Sequence, residues 1–210
     1  MADSLARRER RELCDLALVL GPDAPTLCEG WTSSDLLAHL VVRERNPVAA
    51  AGNVVPRLAG VNRRAMDREQ ARGYEVLVER YRTPAAFLRA LPPVDEAMNA
   101  FELLVHHEDL RRGGDAWEPR ELSAADLDLI WARLAKVVGI FGRRLPVPTV
   151  LQRVDTGATI VAKKGPDPVI VTAPVVELVL FLFGRSAVRD VSYDGAPDRI
   201  ATLQAADFGV

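Results

Sequence analysis

The three histidines of this chain fall in two short segments, His39 in Asp35-Leu36-Leu37-Ala38-His39 and the pair in Glu102-Leu103-Leu104-Val105-His106-His107-Glu108-Asp109. Residues four apart on a helix share one face, so Glu102 and His106 can point together into a single cavity. His39, from a separate helix, can supply a third donor. Two neutral imidazoles and one carboxylate suit zinc, and serve nickel or iron as well, while leaving a coordination position open for chemistry. The bland alternative for Glu102 and His106 is a surface pair that supports its helix weakly. The surroundings favour the metal: Phe101, Leu103, Leu104 and Val105 flank Glu102, and Leu36, Leu37, Leu40 and Val41 flank His39. A buried carboxylate without a partner is costly, and an ion would compensate it.

His107 projects about 100° away from His106 around a helix, so it cannot share that ligand geometry and is assigned a supporting or packing role. Asp109 lies one turn beyond His106. It can orient the imidazole by accepting the second ring proton, as ligating histidines require, or pair with Arg111 or Arg112.

The elements that must carry these residues are readable from periodicity. Leu5, Leu13, Leu16, Ala17 and Leu20 recur at helical spacing before Gly21-Pro22, which predicts a first helix from Ser4 to Leu20. Thr32-Ser33-Ser34-Asp35 reads as a capping box opening the helix of His39, which ends near Asn46-Pro47. Residues 48–60, with Gly52, Pro56 and Gly60, read as an irregular connection or a broken helix. Helical spacing then continues from Val61 to Tyr81, and Thr83-Pro84 reads as a new cap. The helix of Glu102 and His106 follows Pro92-Pro93 and closes at Gly113-Gly114, and Ser123 caps another with Leu127, Ile130, Leu134 and Val138 on its apolar side.

Beyond Pro146 the period changes to that of strands, at Val150 to Val154, Thr159 to Ala162, Val169 to Thr172 and Val188 to Tyr193. A helix from Pro174 to Gly184 and a short one from Pro197 to Ala206 complete the pattern. The expected fold is α+β: a helical bundle over 1–145 that binds the metal, then a small α+β domain over 146–210.

Composition narrows the partners. A formal net charge of -2 gives no basic field for nucleic acid or an anionic membrane. The longest apolar run, Pro174 to Phe183, is interrupted by Glu177 and is too short to span a bilayer. Cys14 and Cys28 form no C-x-x-C pair, and Met1 to Glu12 lacks the apolar stretch of a signal peptide. The expectation is a cytoplasmic protein with a small-molecule partner.

Gly30-Trp31-Thr32-Ser33-Ser34-Asp35-Leu36-Leu37-Ala38-His39-Leu40 resembles a segment of the mycothiol-dependent maleylpyruvate isomerase N-terminal family, part of the DinB-like four-helix bundles. Glu102-x-x-x-His106-x-x-Asp109 is similar to that family's second metal motif, and the two occur in the same order. Arg43-Glu44-Arg45, His106-His107-Glu108-Asp109-Leu110-Arg111-Arg112 and Leu182-Phe183-Gly184-Arg185 look closer still to an actinobacterial family of metal-binding proteins related to the isomerase. The resemblance implies a bundle with His39, Glu102 and His106 as ligands, mycothiol as the thiol cofactor, and a C-terminal arginine assisting catalysis. Arg185 is matched to that arginine; its alternative is to cap a helix C-terminus. The doubled histidine and Arg111-Arg112 depart from the isomerase, so the chemistry transfers better than the substrate.

The implied activity is thiol transfer to, or isomerisation of, a small electrophile, with Glu108 or Asp109 as the candidate proton relay. One rival is a hydrolase using metal-activated water, and another is a non-catalytic binding protein braced by its metal. A structural zinc site is normally closed by a fourth protein ligand, and Cys28 is the residue placed to supply one.

Overall fold

The computed structural model describes residues 4–53, 55–90 and 92–207. Their contacts divide the chain into two compact units, Met1–Glu118 and Pro119–Val210. The change of period at Pro146 placed the division later; the helix after Ser123 instead packs within the second unit.

The first unit is a helical bundle. α1 (Leu5–Leu20) starts where Ser4 accepts from the Arg7 amide, and it packs on α5 and α7. α2 (Ser33–Arg45) opens on the expected capping box: the Thr32 hydroxyl accepts from the Asp35 amide, and the Asp35 carboxylate accepts from the Thr32 amide at 2.9 Å. After α2 come α3 (Pro47–Ala50) and two short 3-10 turns, Ala51–Asn53 and Pro56–Leu58, so that of the two readings, irregular connection or broken helix, the segment is the second.

The stretch read as one helix from Val61 to Tyr81 is two, α4 (Ala59–Gln70) and α5 (Tyr74–Arg82). Gly73, at φ 94, makes the break, because a left-handed residue cannot continue a right-handed helix. α6 (Ala86–Ala90) follows Thr83-Pro84, and α7 (Pro92–Arg111) carries Glu102 and both later histidines. Leu13 and Ala17 of α1, Leu36, Leu37 and Leu40 of α2, Leu77 and Tyr81 of α5, and Leu103 and Leu110 of α7 form one buried cluster. Arg10 is buried with them. It pairs with Glu44, donates to the Tyr81 carbonyl at 3.1 Å and lies over the Tyr81 ring, tying α1, α2 and α5 together.

The second unit is α+β. α8 (Ala124–Phe141), capped by Ser123, precedes a sheet of β1 (Thr149–Arg153), β2 (Thr159–Lys163), β3 (Val169–Ala173) and β4 (Ser192–Asp194). The strand order is β2-β1-β3-β4, with β1 and β3 parallel and the outer pairs antiparallel. α9 (Val175–Leu182), buried along its length, packs on β1, β3 and α8, and α10 (Pro197–Ala205) ends the chain. β4 is shorter than the expected run from Val188. Asp190 turns left-handed at φ 55, and the Arg189 amide is taken by the Glu177 carboxylate at 3.0 Å, so those residues leave the ladder. Among the described residues no helix is long and apolar enough to cross a membrane.

The loop before α2 docks on the end of α7. The Leu27 amide donates to the Asp109 carbonyl at 3.0 Å, and a Cβ at Gly113 would stand 2.0 Å from the Pro25 carbonyl oxygen. Because that obstacle is backbone, Gly113→Ala must push the loop off α7. We expect it to destabilise the protein by about 1–3 kcal/mol in urea unfolding, whereas Gly114→Ala, which meets nothing, changes little.

Candidate metal centre

α7 places Glu102 and His106 one turn apart, and α2 brings His39 to face them. His106 Nε2 lies 3.3 Å and His39 Nε2 3.7 Å from the same oxygen, Oε1 of Glu102. The three donor atoms lie within 4.8 Å of one another. The imidazoles are 8% exposed and meet edge to face at 5.4 Å, with Trp31 packed on His39 at 5.1 Å. The Glu102 side chain is 25% exposed, so the cluster opens to solvent on the carboxylate side.

The orientation of His106 is fixed from behind. Its Nδ1 meets Oδ2 of fully buried Asp109 at 2.9 Å, and the Cys28 thiol donates to the same oxygen at 3.3 Å. A carboxylate at Nδ1 keeps a proton there and orients the ring so that Nε2 faces Glu102. Of the two roles open to Asp109, the structure shows this one. Cys28 clusters with His106 and Asp109, outside the trio of His39, Glu102 and His106.

Two residues not singled out from spacing complete the site. Arg43 Nε lies 3.2 Å from Glu102 Oε1, and its Nη1 donates to Asn99 Oδ1 at 2.6 Å. Arg43 is four residues after His39 and Asn99 three before Glu102, so helical spacing places both on the site's face.

Electrostatics prepare the donors. Burial lowers the pKa of His39 and keeps its imidazole neutral against a weaker pull from Glu102. Burial acts to raise Glu102, but hydrogen bonds from His106 and His39 and the charge of Arg43 outweigh it and hold the carboxyl well below its usual range. Burial likewise opposes charge on His106, yet hydrogen bonds with Asp109, Cys28 and Glu102 push its pKa well above 6.5. The donor set fits a divalent ion: a proton shared between His106 and Glu102 is what such an ion would displace.

The remaining candidates are placed elsewhere. His107 Nδ1 meets Glu9 Oε2 at 2.8 Å between α7 and α1, both groups being buried, and Glu12 completes a second cluster of possible donors. Glu108 is fully buried and accepts from Arg111 at 3.0 Å and from Arg112 at 2.7 Å, with Arg112 over the Trp117 ring. Arg185 belongs to the second unit. Its amide donates to the Leu180 carbonyl, and its guanidinium to the Phe183 carbonyl at 2.9 Å, the geometry of a helix C-terminal cap.

Residues 6–99 match the family model of the mycothiol maleylpyruvate isomerase N-terminal domain. Among solved structures, a crystal structure of the mycothiol-dependent maleylpyruvate isomerase is 21% identical, with a TM-score of 0.52 and 90% of each chain covered. A histidine-to-alanine mutant of that enzyme gives 19% identity, a TM-score of 0.54 and the same coverage. These likenesses establish the fold. No curated protein matches the sequence.

Two outcomes follow from the geometry. Zinc binding at pH 7 should release about one proton, from His106, read by calorimetry in two buffers of different ionisation enthalpy. The release should fall as pH rises through the raised pKa of His106, and zinc affinity should weaken as pH falls. His107→Ala should keep the metal but lose about 1–3 kcal/mol of stability, because Glu9 is left buried without its imidazole partner.

Proposed function

Starting from a helical unit related to the mycothiol maleylpyruvate isomerase N-terminal domain, we propose that this protein is a metal-dependent thiol transferase or isomerase. His39, Glu102 and His106 hold one divalent ion, zinc first among the candidates, and a small-molecule thiol reacts with a small electrophile beside it. The thiol is mycothiol, by analogy with the related enzyme. The observation that carries the reading is the convergence of two Nε2 atoms on one carboxylate oxygen at a partly open cluster.

When bound, such an ion supplies a positive centre that keeps a thiol ionised at neutral pH. The chain's own residues do the rest. Asp109 orients the His106 ring, Trp31 fixes the His39 ring, and before an ion binds Arg43, anchored by Asn99, steadies the Glu102 carboxylate. Cys28 donates to Asp109 on the far side of His106, which favours three protein ligands and an open position over a closed structural site. The ion pairs of Glu108 with Arg111 and Arg112 support a role in fixing α7 rather than as a proton relay.

Metal analysis of purified variants tests the ligands. His39→Ala, Glu102→Ala and His106→Ala should each weaken zinc binding by more than the roughly 10–100-fold typical of losing a supporting hydrogen bond. Retention of metal by His106→Ala together with its loss from His107→Ala would reverse the assignment. With cobalt in the site, mycothiol should produce a sulfur-to-cobalt absorption band; a spectrum unmoved by thiol but sensitive to pH would favour water chemistry.

A further inference from the structure

Arg43 has two neighbourhoods. On one side its Nε shares Glu102 Oε1 with both imidazoles, at 3.2 Å, while Asn99, 1% exposed, anchors its Nη1 at 2.6 Å. On the other side Arg43 lines a cleft of about 440 Å³ together with Glu44, Arg45, Pro47, Ala85 and Phe87. Glu44 in that lining is committed to Arg10, and Arg45 to the carbonyls of Arg80 and Thr83. Two guanidiniums against one carboxylate leave the cleft with an excess positive charge. Phe87, Pro47 and Ala85 give it apolar walls.

Resting on the metal assignment above, we propose that Arg43 couples metal binding to anion binding. In the metal-free protein the guanidinium balances Glu102. A divalent ion that takes the same carboxylate oxygen puts two positive centres on one atom, and repulsion turns the guanidinium, pivoting on Asn99, towards the cleft. There it is suited to a carboxylate, which a guanidinium grips through two parallel hydrogen bonds. The two equilibria are then linked: metal strengthens binding of the anion, and the anion strengthens binding of the metal by the same factor.

The test is zinc affinity of the full chain, measured against a chromophoric chelator with and without acetate, acetate's own zinc binding being subtracted from a protein-free blank. In the wild type acetate should tighten zinc binding about tenfold, within the range of ordinary coupling. Arg43→Met should bind zinc about tenfold more tightly than the wild type without acetate, and its response to acetate should fall below about twofold. Arg43→Lys, which keeps the charge but not the fork, should lie between. Should Arg43→Met fail to fold by circular dichroism, Arg43→Gln carries the same expectation. Equal or weaker zinc binding by the neutral variant, or an acetate response that survives in it, overturns the coupling and leaves the ligand assignment standing. No zinc binding by the wild type overturns both.

Discussion

The site depends on one hydrogen bond, between the buried carboxylate of Asp109 and Nδ1 of His106. It fixes the ring orientation that presents Nε2 to Glu102, and it does so from a position where water cannot compete. The same residue holds the loop ahead of α2, through its carbonyl to Leu27 and its carboxylate to the Cys28 thiol. That loop carries Trp31 and ends in the capping box that starts the His39 helix. Asp109 therefore connects the two halves of the ligand set.

Around that anchor the electrostatics are tightly drawn. One carboxylate oxygen of Glu102 serves two imidazoles and a guanidinium, and it remains ionised because the hydrogen bonds and the positive charge outweigh burial. Behind α2, Arg10 and Glu44 form a second buried ion pair. Such pairs cost much of their attraction in desolvation, and removing one partner is far worse than never having had it. Their value here is orientation: Glu44 faces α1 while Arg43, one residue earlier, faces α7.

Much of this was legible in the sequence. The i, i+4 spacing of Glu102 and His106 and the apolar context of His39 point to a shared site, and the capping box at Thr32 fixes where α2 begins. The strand period after Pro146 gives the small sheet. What could not be read is where local signals compete with packing. The helical spacing from Val61 to Tyr81 runs through Gly73 unbroken, although the backbone there turns left-handed and splits the helix. Arg43 and Asn99 look like ordinary surface residues until the angle between α2 and α7 is known. Val188 to Arg189 has strand character, yet Glu177 claims an amide that would have extended β4.

The four consecutive residues His106, His107, Glu108 and Asp109 are all buried, and each is committed in its own direction: to Glu102, to Glu9, to the Arg111 and Arg112 guanidiniums, and to the Cys28 loop. Inserting or deleting one residue in this turn would rotate one side of it by about 100° against the other, so that the contacts to Glu9 and to the Cys28 loop could no longer be made together with that to Glu102. The register of this turn is thereby fixed by partners on α1, on the loop before α2 and on α7 itself.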